Sequence, residues 1–408
     1  MSEGQLTTTT GRAALSLPRL IFLCLATKFV IDTGFQIFSP YLPTIAAGLG
    51  VDVITMGRLV SLMSAMGLVA PILGVVADRQ GYQQFIRLAL LLGALGTFLF
   101  GSSFTFGLTA VSMVLMGIGF AIFAPMLHAY LSAQIPYHRR ARSIGIVEYS
   151  WALSSIAGLS LMGLLIAATN WRVPFFVLAG GLLLAWFIFG ALPTGQDMPR
   201  SKLTLDFRGW RRWPARLRAY FDLGPSARSA WGTMLVAGLN FFASMHVIIV
   251  HGVWLSNEYG LGPAQLGVVA LAAGVADLGG SVLVSLGSDR LGKRRSVLLG
   301  TLASLLAYSL LPWLNVGLTA AVISLMLIRF SFEFSIVSNI PLMSEQVPSQ
   351  RGKIFTLSAL FYLSSATLVG FTGPWAYTRY GLWGLGPVSA AAAALSLLVI
   401  WRWVREAK

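Results

Sequence analysis

Runs of apolar residues, each long enough to span a lipid bilayer, recur along the whole chain and decide what it can become. A helix needs roughly 20 mostly apolar residues to cross the hydrocarbon core. Twelve such runs can be placed: 18–46, 54–77, 84–103, 105–133, 141–168 and 172–192, then 229–256, 264–287, 296–313, 316–343, 353–377 and 381–403. The expected fold is an all-α membrane protein, with twelve transmembrane helices in two six-helix bundles. Its parts are a tail (1–17), a first bundle (18–192), a polar linker (193–228), a second bundle (229–404) and a short end (405–408).

Charge supports the same count. Only 11% of the 408 residues are charged, against about 25% in soluble proteins. Yet 29 Lys and Arg against 14 Asp and Glu leave a formal charge of +15. In a soluble chain that excess would suggest nucleic acid. Here, with twelve spans drawn, 24 of the 29 basic residues fall on one side, and only Arg172 and Arg379 lie in loops on the other. Basic loops stay cytoplasmic, so both termini are expected in the cytoplasm and the chain in the cytoplasmic (plasma or inner) membrane, with no nucleic-acid partner. The linker stretch Phe207–Phe221, where arginines alternate with aromatics, is expected to lie as an amphipathic helix in the headgroup layer.

Other chemistries find little footing. The single cysteine, Cys24, forms no intramolecular disulfide or cysteine metal cluster, and the histidines His128, His138, His246 and His251 lack metal-ligand spacing. Gly292-Lys293 and Gly352-Lys353 are not followed by the Ser or Thr of a phosphate-binding loop. The chain is expected to need no metal or cofactor and not to be an enzyme.

The two halves echo each other. Gly74-Val75-Val76-Ala77-Asp78-Arg79-Gln80-Gly81 follows the second span, and Gly287-Ser288-Asp289-Arg290-Leu291-Gly292-Lys293 follows the eighth. Pro136 and Pro348 follow the fourth and tenth spans, each with a glycine, Gly158 or Gly370, 22 residues further on. Such duplication is a common transporter design. With these motifs the chain resembles the major facilitator superfamily along essentially its whole length. The resemblance implies that Gly74, Asp78, Arg79 and Gly81, and in the second half Asp289, Arg290 and Gly292, form the cytoplasmic latch motif. The first copy departs after its last glycine, where Tyr82-Gln83-Gln84 replaces a basic run. Asp32-Thr33 ahead of Leu42-Pro43 is loosely similar to the drug/proton antiporter pattern, but the fifth span, Gly158–Gly163, lacks the proline of that group.

An ionisable group in mid-bilayer costs at least about 2.5 kcal/mol and needs a reason. Lys28 and Asp32 stand four apart in the first span, and Arg329 and Glu333 four apart in the tenth. The resemblance implies that helices one, four, seven and ten line a central cavity, so both pairs face the substrate path. His128, Glu148 and Asp277 are further candidates. One reading makes Asp32 or Glu333 a proton-coupling site and Arg329 an anchor for a polar or anionic group. The other makes each pair self-neutralising and nothing more. The expected function is a secondary active transporter working by alternating access, moving a small organic solute with protons, export being preferred to import, and acting as a monomer. An importer of a sugar or organic anion is one alternative. A non-transporting assembly or receptor protein on the same fold is the other.

Overall fold

The computed structural model describes residues 16–69, 81–192, 221–347 and 351–406. Among them every regular element is helical, and each of the twelve apolar runs coincides with a helix or a broken helix. Among the described residues nine helices are long and apolar enough to cross a membrane, and the bent pair α1 (Leu17–Gln36) and α2 (Phe38–Leu49) makes a tenth. The remaining two runs fall on α3 (Val53–Ala65), followed by a short 3-10 turn (Met66–Val69) at which the described residues end, and on Lys293–Leu310, which carries three basic residues in its first turn. Many apolar side chains stand outward, among them Phe22, Phe187, Leu286 and Trp401, each about two-thirds exposed or more. A surface of this kind suits lipid rather than water.

The chain divides into two compact units. The first comprises residues 1–201 together with 255–274. After α1–α3 come α4 (Tyr82–Gly101), α5 (Phe106–Gln134), α6 (Tyr137–Glu148), α7 (Ser150–Leu153), α8 (Ser160–Ala168) and α9 (Val173–Ala191). The α1–α2 bend of 54° lies just before Pro40 and Pro43, which have no N–H to give a helical bond. Asp52 caps α3 through the Thr55 N–H, and Thr105 caps α5 through the Leu108 N–H. Gly117 and Gly119 let the backbone of α5 lie directly on Met63 of α3 and on Ala89 and Gly93 of α4, the small-residue packing that helices use in lipid. Between α7 and α8 the chain widens into a π turn, Ser154–Leu159, a feature often found at functional sites. Within that turn Gly158 lies against the Thr33 side chain of α1, where a Cβ would collide. Ser160 donates to the Gly267 carbonyl in the 255–274 segment of the same unit.

The second unit comprises residues 202–254 and 275–408. Its helices are α10 (Ala227–Ile248), part of α11 (His251–Tyr259) and of α12 (Pro263–Leu291), α13 (Lys293–Leu310), α14 (Leu318–Ser344), α15 (Arg351–Tyr380) and α16 (Leu382–Arg402). Buried polar groups lash them together. Asn240 on α10 donates to Thr301 on α13 at 3.0 Å and to Ser335 on α14 at 2.9 Å. Asn339 on α14 donates back to the Thr233 carbonyl of α10 at 3.0 Å.

The repeat seen in the sequence is present in the backbone. Gly81 and Gly292, the closing glycines of the two loop motifs, have φ of +98° and +87° and each precedes a helix, α4 or α13. A side chain is strained at such angles. Two residues on, Gln83 donates to the Phe189 and Leu192 carbonyls at the end of α9, and Arg294 to the Ile400 and Trp401 carbonyls at the end of α16. In the second unit Lys293 also pairs with Glu345, and Glu406 accepts from the Lys293 N–H at 2.9 Å and the Arg294 N–H at 3.3 Å. Arg290 lies exposed in the last turn of α12. Gly74, Asp78 and Arg79 lie outside the described residues, as do the side chain of Asp289, the tail 1–15 and linker residues 193–220, which hold the expected interfacial helix.

Candidate transport site

Each unit holds a cluster of charges within its membrane-spanning helices. In the first, α1 carries Lys28 and Asp32 one turn apart, both buried, with Nζ 2.9 Å from Oδ2. Lys28 also reaches Glu148, the last residue of α6, at 3.3 Å and the Ser150 hydroxyl at 3.1 Å. Ser150 in turn donates to the same Asp32 oxygen, and His128 of α5 lies 2.6 Å from the other Glu148 oxygen. The result is a continuous polar path running His128, Glu148, Lys28, Asp32. Its outer members are open: the side chains of His128 and Glu148 are 40% and 47% exposed, against 6% and 10% for Lys28 and Asp32.

Local structure explains how the path is assembled. The α6 helix stops at Glu148, α7 restarts at Ser150, and the π turn follows directly. The irregular backbone brings Glu148, Ser150 and Ser155 toward α1, where Ser155 donates to Gln36 at 2.8 Å and Gln36 donates to the Trp151 carbonyl at 3.2 Å. The small Gly158 permits this approach. Chemically the path can relay protons: an imidazole and a carboxylate at an accessible edge connect through an ammonium to a buried carboxylate.

In the second unit the spacing in the sequence pointed to Arg329 and Glu333 as partners, and the structure gives each of them a partner on α12. Arg329 of α14 forms an ion pair with Asp277 of α12, both almost fully buried. Glu333, one turn beyond Arg329, accepts a hydrogen bond from Ser281 at 2.8 Å, and Ser281 lies one turn beyond Asp277 on α12. Two helices thus face each other with matched pairs of positions. Nearby, His251 is buried and bonded through Nδ1 to the Ile248 carbonyl, while His246 stacks on Phe242. Among the described residues no group of His, Cys, Asp and Glu could hold a metal ion.

All seven intramembrane candidates from the sequence, Lys28, Asp32, His128, Glu148, Asp277, Arg329 and Glu333, therefore fall into one or other cluster. Ser150 and Ser281 were not singled out beforehand. A serine in a Ser-rich apolar helix gives no signal of its own.

The sequence profile of the Major Facilitator Superfamily matches residues 24–370. The chain belongs to the Major Facilitator Superfamily. It is 27% identical to the MFS-type transporter YceJ of Bacillus subtilis over 344 residues, 83% of this chain and 84% of that one. It is 25% identical to the quinolone resistance protein NorA of Staphylococcus aureus over 173 residues, 42% of this chain and 44% of that one. Among solved structures, a D-xylose-proton symporter superposes with a TM-score of 0.77 at 16% identity, covering 96% of this chain and 99% of the symporter. This Major Facilitator Superfamily chain is a multi-pass membrane transporter and not an enzyme.

Proposed function

We propose that this transporter moves a small organic solute outward across the cytoplasmic membrane in exchange for protons, by alternating access. The observation that carries the reading is the path from His128 and Glu148 through Lys28 to Asp32. A proton arriving on Glu148 weakens its hold on Lys28, and Lys28 then pairs more fully with Asp32. Removing that proton restores the shared arrangement. Substrate binding and protonation thus compete for the same charges, the linkage that coupled exchange requires. Similarity to a relative named for quinolone resistance supports export. The basic loops support cytoplasmic termini and the cytoplasmic membrane, and the chain works as a monomer.

Everted membrane vesicles energised by respiration test this reading. A pH-sensitive dye reports proton release when solutes from a broad library are added. The parent chain is expected to give solute-dependent dye recovery, Asp32→Asn and Glu148→Gln none. Full recovery and unchanged proton-driven flux in Asp32→Asn would refute the coupling role of this path.

A further inference from the structure

At the far end of α4 from the Gly81 corner stands a basic side chain that no acid balances. The helix runs from Tyr82 to Gly101, and a helix of that length spans about 30 Å. Beyond its end, the side chain of Arg172, the N-cap residue of α9, is fixed on several sides. Nη1 donates to the Gly101 carbonyl at 2.8 Å and to the Ser103 carbonyl at 2.6 Å. The guanidinium carbon lies 4.3 Å from the centre of the Phe104 ring and 4.5 Å from that of Trp171. Trp171 is itself held edge-on to Phe100 and Phe175, and Gly48 makes room for it where a Cβ would collide.

Both protons of Nη1 are thereby used. Among the described residues Nε and Nη2 have no hydrogen-bond partner, and no carboxylate pairs with this guanidinium. The Nε–Nη2 edge remains, a planar two-donor fork that matches two oxygens of a phosphate or carboxylate. Arg172 lines a pocket of about 550 Å³ with, among others, Leu59, Thr105, Phe106 and Thr109. The pocket also receives the start of α5, with Thr105 as N-cap and Phe106 as first residue. The positive end of a helix adds to the attraction for an anion. No lining residue is acidic. Asp52, near the lining residues in the chain, is engaged as the cap of α3.

The rim supplies a second kind of contact. Phe104 and Phe106 are 83% and 60% exposed, where the chain passes between the spanning helices α4 and α5. Aromatic rings at the ends of spans lie at headgroup depth. A soluble anion would engage the fork and leave these rings bare, whereas an amphiphile engages both. A zwitterionic headgroup would bring an ammonium into a pocket whose lining has no acid to meet it.

We propose that the Arg172 pocket binds the headgroup of an anionic phospholipid, with the phosphodiester on the Nε–Nη2 edge and the start of the acyl chains against Phe104 and Phe106. This assignment is independent of the direction and coupling of transport.

The test places a reporter beside the pocket. Cys24 is buried and Gly107, in the first turn of α5, faces open space, so Gly107→Cys offers one accessible thiol for a fluorophore. The full chain is placed in phosphatidylcholine nanodiscs containing a small fraction of lipid with a nitroxide near the head of its acyl chain. Nitroxide-labelled phosphatidylglycerol is expected to quench at least threefold more than labelled phosphatidylcholine. Unlabelled phosphatidylglycerol should relieve the quenching, and inorganic phosphate in excess should not. Arg172→Gln is expected to abolish the preference, and Arg172→Lys, which keeps the charge without the fork, to retain less than half of it. Since Arg172 also ties two loop carbonyls, the exposed Phe104→Ala serves as a second variant. It is expected to lower quenching by phosphatidylglycerol about twofold with an unchanged thermal unfolding midpoint. Equal quenching by the two lipids in the parent chain overturns the proposal whatever the variants do, and so does an unchanged preference in Arg172→Gln. Relief by inorganic phosphate overturns the lipid assignment in favour of a soluble anion.

Discussion

Replacing Lys28 by methionine isolates how far the first cluster depends on its single cation. The ammonium lies 2.9 Å from Asp32 and 3.3 Å from Glu148. At an effective dielectric of about 20 these separations correspond to about 6 and about 5 kcal/mol of attraction. Withdrawing each ion from water costs several kcal/mol in the opposite sense, so the intact cluster contributes little net stability. Removing only the cation upsets this balance. Asp32, 7% exposed, keeps Ser150 as a donor but loses its counter-ion. Methionine retains the apolar stem, so a cavity does not confuse the result. The expected loss is about 3–5 kcal/mol. Unfolding by titration of dodecyl sulfate into maltoside micelles, followed by tryptophan fluorescence, measures it. The double variant Lys28→Met/Asp32→Asn should recover at least half of the loss, because the stranded charge is gone. A single variant within about 1 kcal/mol of the parent, or losses that simply add, would refute the reasoning.

In the second unit, Arg329→Met should cost about 3–5 kcal/mol in the same assay, since Asp277 is 1% exposed. Asp277→Asn leaves Arg329 one turn from Glu333 and should cost clearly less, so equal losses would argue against this account. Gly158→Ala forces a Cβ into the Thr33 side chain and should cost about 1–3 kcal/mol. Adding Thr33→Ala should restore much of that, read as the thermal unfolding midpoint in micelles. Outside the membrane, the Thr55 backbone N–H holds the Asp52 carboxyl below the usual carboxylate range. Its folded pKa is depressed, so the capping contribution is present above the unfolded pKa, about 3.9, and fades as pH falls through the folded value. The gap in unfolding midpoint between the parent and Asp52→Ala should therefore be constant from pH 8 to about pH 5 and close only in stronger acid.

Much of the architecture was readable from the chain alone because lipid imposes a simple demand. Every span must be long and apolar, and every charge within one stands out against that background. Lys28 and Asp32, one helical turn apart, form the contact their spacing implies. The partnership of Arg329 with Asp277 could not be read in the same way, since 52 positions separate them and only the facing of α12 and α14 joins them. Glu148 was visible as a charge, but its meeting with Lys28 depends on the helix break at Tyr149 and the π turn beyond it. No residue type marks such a turn in advance. The meeting of Phe241 with Phe332 and Tyr362 was hidden for a related reason: phenylalanine is so common in these helices that only geometry distinguishes the rings that meet.

The paired glycines Gly81 and Gly292 set the same backbone corner twice, but the fastener beside each corner differs. In the first unit it is the neutral amide of Gln83, buried and bonded to the carbonyls that end α9. In the second it is ionic, with Arg294 on the end of α16, Lys293 on Glu345, and the Glu406 carboxylate on the start of α13. Partly exposed charges are screened by salt, and amides are not. Among the described contacts, ionic strength therefore acts unevenly on the two corners: it loosens the ionic fastening of the second and leaves the amide fastening of the first unchanged. Among the described residues, salt is thereby a variable that bears on the second corner of the duplicated chain and not on the first.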